Sequence, residues 1–237
     1  MKFSYDTQIR FSDVDCTNKV SLGKIVDFLQ NCSALQSEVL DIGVDYQMKT
    51  RKAWIINSWQ INILEPLRYT ENIKVSTWAT SFKRGIGKRN YTIYSEDGSK
   101  NMVEADSTWV SIDMDKKIIV APDPKEVEVY GYEEKLPMES FGRKIRDMEG
   151  LEYKEDFKVH NFQLDINGHM NNAWYVKIAE EFLKESADKV KVLRVEYKNS
   201  AVYGDIIKAY ATEDEERQLV ELKSENEEIF AKIEFRF

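Results

Sequence analysis

The segment LDINGHMNNAWY, Leu164 to Tyr175, places an aspartate, three asparagines and a histidine just ahead of a helix-like pattern. Only two histidines occur in the 237 residues, His160 and His169, so chemistry that needs an imidazole has almost no choice of residue. Asn167-Gly168 is a turn dipeptide, and Asn171 or Asn172 suits the N-cap of the following helix. A turn and a cap need neither Asp165 nor His169. A carboxylate beside an imidazole can fix its tautomer and stabilise the imidazolium, and an asparagine amide can orient a carbonyl or a water. Amides of the helix's first turn could receive a developing oxyanion. From residue types alone, a catalytic loop and a structural turn carrying a spare histidine remain equally open. A calcium loop is excluded by the missing later oxygen ligands and glycine spacing. His160 closes a predicted strand and reads as structural.

The elements that position this segment are written twice. Placing Asp15 on Asp165 puts Lys19 on His169, Ser21 on Asn171 and Ile25 on Tyr175, a constant offset of 150. Further on, Tyr69, Glu71 and Ile73 match Tyr203, Asp205 and Ile207. The order is the same in both halves, which implies an internal duplication. Each half begins with an alternating strand, FSYDTQIRF or EYKEDFKVH, and continues through a loop into an apolar-faced helix. The first helix presents Leu22, Ile25, Val26, Leu29 and Cys32 on one face and stops near Gly43. The second is expected from about Ala173 to Ala187, with Trp174, Tyr175, Ile178, Ala179, Phe182 and Leu183 on a broad apolar face. Strands follow in both halves: WQINIL, IKVSTWAT, RNYTIYSE and MVEADSTWVSID, then KVLRVEY, IIKAYATE, RQLVELKS and EIFAKIEFRF. Such a plan suits sheets wrapped around central helices. The division expected is residues 1–121, a linker over 122–150 holding three of the four prolines, and residues 151–237.

Composition narrows the function. An apolar content of 42% fills a core, and no window approaches the length of a signal peptide's apolar region or a membrane span, so the chain reads as soluble and cytoplasmic. A net charge of -8 argues against nucleic acid, and any acidic partner must dock on a local basic patch. Cys16 and Cys32 suggest neither a disulfide framework nor zinc.

The stretch LDINGHMNNAWYVKIAEEFL resembles the Asp-x-Asn-x-His-x-Asn-Asn segment of acyl-acyl-carrier-protein thioesterases, the plant chain-terminating enzymes and their bacterial relatives. The segments SFKRGIGKRNYTIYSEDGSKNMVEADSTWVSIDMDKKIIVAPDP and VEYKNSAVYGD extend the resemblance over most of the chain. It implies an α+β tandem hotdog, two antiparallel sheets each around a central helix, and hydrolysis of an acyl-carrier-protein thioester without metal or cofactor. By position, the family's catalytic aspartate, asparagine and histidine fall on Asp165, Asn167 and His169. Where many members carry Glu-Cys, this chain has Ser200-Ala201, which implies attack by water and leaves Ser200 an open assisting role. The basic run Lys83, Arg84, Lys88 and Arg89 matches a basic segment of the family and is expected to dock the carrier protein. The acyl chain is expected in an apolar cavity bounded by the first half. Rival readings are an acyl-coenzyme A thioesterase of the same fold and a non-catalytic acyl-binding module. A hotdog dehydratase lacks its His-Phe-Pro segment here. The oligomeric state is open, a homodimer being one option.

Overall fold

The computed structural model describes all 237 residues. The N-terminal half runs β1 (Phe3–Gln8), α1 (Leu22–Val39), α2 (Val44–Thr50), β2 (Lys52–Ile63), β3 (Asn72–Lys83), β4 (Ile86–Ser95), β5 (Asn101–Asp113) and the short β6 (Ile118–Ile119). After α3 (Pro124–Tyr130), the C-terminal half runs β7 (Glu152–Lys158), α4 (Asn172–Glu180), β8 (Val192–Tyr197), β9 (Ile206–Glu213), β10 (Arg217–Lys223) and β11 (Ile229–Arg236). No helix is long and apolar enough to cross a membrane.

Strand order confirms the duplication. The sheet reads β1-β3-β4-β5-β2-β8-β11-β10-β9-β7, with β6 on β5, and every pairing is antiparallel. Reversing the second half maps β7, β9, β10, β11 and β8 onto β1, β3, β4, β5 and β2. The two hotdog sheets are joined edge to edge where Ser58 to Asn62 of β2 pair with Glu196 to Val192 of β8. The two sheets expected from the sequence are thus one continuous sheet of 11 strands. A single cluster of 40 buried residues draws on both halves, so they share one core.

On the core side of the sheet lie α1 and α4, antiparallel and in contact. Ser21 caps α1, its Oγ accepting from the Lys24 amide, and the face predicted from the 3.6 period is buried. The helices approach closely at Gly23, where a Cβ would lie 2.4 Å from Lys177 Cγ and 3.0 Å from the Ala173 carbonyl oxygen. Three polar contacts surround the crossing. The Leu22 and Gly23 amides donate to the Glu180 carboxylate at 2.6 and 2.9 Å, Lys177 Nζ meets Asp27 at 3.1 Å, and Asn172 Nδ2 donates to Gln30 Oε1 at 3.0 Å.

Helix α4 is shorter than its periodicity predicts. Beyond Glu180 the buried Gln218 of β10 binds both sides of the chain, accepting from the Lys184 amide and donating to the Phe182 carbonyl. Those bonds replace the helical ladder and turn the chain back toward the sheet. The segment expected to be a linker contains α3, which begins with Asp123 as N-cap and Pro124 at the first helical position. From Gly131 the chain crosses the outer face of the sheet, held by side chains that alternate with core residues. Trp78 Nε1 donates to Glu134 O, Asn90 Oδ1 accepts from Leu136 N, and Gln60 binds both Glu139 O and Phe141 N. Arg194 donates to the carbonyls of Phe141, Gly142 and Lys144, and Glu196 accepts from Ile145 N.

The helix crossing leads to the first prediction. Gly23→Val forces α1 and α4 apart and is expected to lower stability by about 2 kcal/mol. A thermal unfolding midpoint equal to wild type would show that the crossing tolerates a side chain.

Candidate active site

The segment from Leu164 to Met170 is a closed loop shaped by one carboxylate. Asp165 Oδ1 accepts from the amides of Asn167 (2.8 Å) and His169 (3.2 Å), while the Asp165 amide donates to His169 O (2.7 Å) and Gly168 N to Asp165 O (3.0 Å). Gly168 closes the turn at φ +76°, a left-handed conformation that favours glycine. Asn171 caps α4 through a bond from the Ala173 amide to Oδ1 (3.0 Å). Met170 N donates to Ala201 O (2.8 Å), and the Ala201 amide donates to Tyr175 Oη (2.8 Å), which ties loop, helix and the segment after β8 together.

The N-terminal copy repeats the backbone bonds of the loop, although Ile25 stands where Tyr175 binds the Ala201 amide. Asp15 Oδ1 accepts from the Thr17 and Lys19 amides, Asp15 N donates to Lys19 O, and Val20 N donates to Leu67 O. Asn18 takes the left-handed conformation of Gly168, at φ +63°. Lys19 replaces His169 and forms an ion pair with Asp188.

Among the residues singled out from the sequence, Asp165, Asn167 and His169 do come together in one loop, with Asp165 half-buried and the other two exposed. The Asp165 carboxylate is engaged by backbone amides, not by the imidazole; the His169 ring makes no hydrogen bond to protein. His160 precedes a short turn, its amide donating to Gln163 Oε1, and its ring stacks on Phe162. Ser200 is exposed, beside the buried Ala201.

A cavity of about 370 Å³ opens between α1, α2 and the strands of the N-terminal half, and Asp165, Ile166, Asn167 and Asn171 form one of its walls. Trp54, Phe82, Trp109 and Tyr130 supply apolar lining, and Gln30, Ser33, Ser37 and Arg89 add polar groups. The lining is more polar than the sequence suggested.

Arg89 is the one member of the basic run that cannot serve in docking. It is 5% exposed, with its guanidinium bonded to Gln36 and Thr77 and lying over the Tyr130 ring. On β4 side chains alternate, so Lys88 points outward and Arg89 inward. Lys83, Arg84 and Lys88 are exposed at and beside the β3–β4 turn, between the cavity-lining Phe82 and Gly87 and just beyond the latter.

Sequence reasoning missed the groups that α1 and α4 exchange. Each helix carries a polar residue at the same position, Gln30 and Glu180, which reaches the first turn of the other. Glu180 is partly buried, and its carboxylate oxygens sit on the Leu22 and Gly23 amides at the crossing. Burial there pushes the carboxyl up to about 7, against the opposing pull of the Gly23 and Leu22 amides.

The fold is a tandem hotdog with a histidine-bearing loop beside a cavity, and two family models assign it to the thioester hydrolases of that fold. The acyl-ACP thioesterase N-terminal domain matches residues 1–129 and the acyl-ACP thioesterase C-terminal domain matches residues 147–237. The chain therefore belongs to the acyl-ACP thioesterase family, whose members cleave acyl-carrier-protein thioesters to free fatty acid. An acyl-ACP thioesterase from Bacteroides thetaiotaomicron superposes with a TM-score of 0.89 at 21% identity, covering 100% of this chain and 97% of that one. A 12:0-ACP thioesterase from Umbellularia californica gives 0.86 at 12% identity, covering 99% and 96%. A 1,4-dihydroxy-2-naphthoyl-CoA thioesterase from Synechocystis covers 55% of this chain with 96% of its own length (TM-score 0.51, 12% identity), as a single hotdog would. No curated protein matches in sequence.

The state of Glu180 has a measurable consequence. A carboxyl whose folded pKa is raised keeps its proton in the native state over a range where the unfolded chain has lost it, so stability falls as pH rises from about 4.5 toward 7. Glu180→Gln is expected to remove about 2 kcal/mol of that decline. Denaturant unfolding at pH 4.5 and 7.5 measures it; equal slopes in the two proteins would place the titration elsewhere.

Proposed function

We propose that His169 is the general base of the hydrolysis, within a loop shaped by Asp165, and that Asn167 helps hold the thioester. One comparison within the chain carries this reading. The N-terminal copy forms the same loop with Lys19, so the fold does not require an imidazole there, yet His169 leaves its ring exposed and without a protein partner. His169 takes a proton from water as the water oxygen bonds to the thioester carbonyl carbon. The tetrahedral intermediate then breaks its C–S bond, and the proton passes to the departing pantetheine sulfur, giving carboxylic acid and thiol. Asp165 acts on the loop, its bonds to the Asn167 and His169 amides fixing where Asn167 meets the cavity wall and where the His169 side chain leaves the backbone. With Ala201 at the position of the family cysteine, no thiol takes part: Cys16 is exposed in the other half, and burial pushes the Cys32 thiol up to about 12. Ser200, beside the Ala201–Val202 segment that pairs with the loop, orders a water in this reading.

In this reading the chain divides into residues 1–121, a strap over 122–150 and residues 151–237. The N-terminal half houses the acyl group, the carrier protein docks on Lys83, Arg84 and Lys88, and the enzyme ends fatty acid synthesis in the cytoplasm. The position of those cations between and beside Phe82 and Gly87, at the cavity wall, supports the docking site. Local cations offset the net charge of -8 at short range.

Replacing His169 by Ala should preserve the fold and lower turnover by about a hundredfold or more. Asp165→Asn keeps an acceptor for the loop amides, so its activity should fall less than that of Asp165→Ala. Near-normal hydrolysis by a folded His169→Ala protein would return the loop to a purely structural role. For docking, Lys83→Glu with Arg84→Glu should raise KM for acyl carrier protein about tenfold at low salt and leave a small pantetheine thioester unaffected. Equal effects on both substrates would move the docking surface elsewhere.

A further inference from the structure

The two central helices exchange one polar side chain each, and the exchange is unequal. Glu180 lies 150 residues after Gln30, so the two occupy equivalent positions on α4 and α1. Glu180 places its carboxylate on the first two amides of α1, Leu22 N and Gly23 N. This marks where a side chain at that position reaches: the opening turn of the facing helix, next to the duplicated loop. The pocket there is small, about 70 Å³, and the Lys19–Asp188 ion pair stands at its edge.

At the other end of the crossing the acid is replaced by an amide. Gln30 Oε1 accepts from Asn172 Nδ2 at 3.0 Å, at the first residue of α4. That bond orients the amide, and Nε2 has no acceptor in the protein. Gln30 lines the cavity together with Asp165, Asn167 and Asn171. An amide fixed through its oxygen, with two N–H groups that meet no protein acceptor, on the wall of the cavity that Asp165 and Asn167 also line, suits a carbonyl oxygen that gains negative charge.

We propose that Gln30, carried by the N-terminal half, is a catalytic residue of the C-terminal half's site, donating from Nε2 to the thioester carbonyl as it becomes an oxyanion. Its counterpart Glu180 closes the N-terminal copy by occupying the equivalent ground with a carboxylate. The assignment rests on the reading of the Asp165–His169 loop as the catalytic one.

The test is steady-state hydrolysis of decanoyl-pantetheine by Gln30→Met, Gln30→Glu, His169→Ala and Glu180→Gln, with folding checked by circular dichroism. Gln30→Met keeps the length and removes the donors; kcat is expected to fall at least about thirtyfold with KM within about threefold of wild type. Gln30→Glu should fall further, because a carboxylate opposes the developing charge. Glu180→Gln should keep kcat within about twofold, since its carboxylate belongs to the closed copy. A kcat for Gln30→Met within twofold of wild type overturns the proposal, as does a loss confined to KM. If Gln30→Glu does not fold, Gln30→Met alone decides. An inactive His169→Ala with a fully active Gln30→Met removes Gln30 only, whereas an active His169→Ala with an impaired Gln30→Met removes the loop assignment and leaves the donor.

Discussion

The close approach of α1 to α4 is the constraint on which the molecule turns. Without a side chain at Gly23, each helix can press its flank against the other while both bury their apolar faces on one sheet. The crossing also brings the opening turn of each helix within reach of the other's polar residues. Contacts between Glu180 and α1, Lys177 and Asp27, and Asn172 and Gln30 all follow from that distance. The loop from Leu164 to Met170 is therefore built by one half but faces a cavity whose other walls the N-terminal half provides.

The opposite face of the sheet has a different solution. Gln60, Asn90, Arg194 and Glu196 point away from the helices, yet all are buried, because the chain from Gly131 to Gly150 lies over them. Their amides, guanidinium and carboxylate satisfy the backbone of that segment, whose own backbone bonds to sheet and helix are confined to its start, Gly131 N on Val127 O and Glu133 N on Ala79 O. Arg194 is held in turn by the fully buried Glu234, whose carboxyl is brought low by Arg194 and Arg217 even though burial alone would raise it. The connection between the halves is thus a fitted layer.

Much of this was legible in the sequence because it depends on local patterns. Two-residue alternation marked the strands, and β9 falls where the sequence placed it; the offset of 150 found both loops and both helices. What was not legible depends on partners distant in sequence. Nothing between Ala173 and Ala187 announces that Gln218 will end the helix at Glu180. Arg89 belongs to the basic run by residue type, but Lys88 and Arg89 are neighbours in β4 and point to opposite faces, so only one of them can reach solvent. Gln30 lies in no motif: its partner Asn172 is far along the chain, and its importance appears only beside Glu180. The residue types of Asp165 and His169 suggested an ion pair; the geometry instead engages the carboxylate with amides, a use that the matching Asp15 already makes without any histidine.

Both hotdogs lie on one polypeptide and meet at the seam between β2 and β8. In an assembly of two identical subunits, a substitution at the helix crossing appears twice, so an amide could not stand at one end while an acid stands at the other. Covalent fusion lifts that symmetry. Each copy can then drift alone, one keeping the histidine and the other supplying most of the cavity wall, while neither is lost to its partner on dilution.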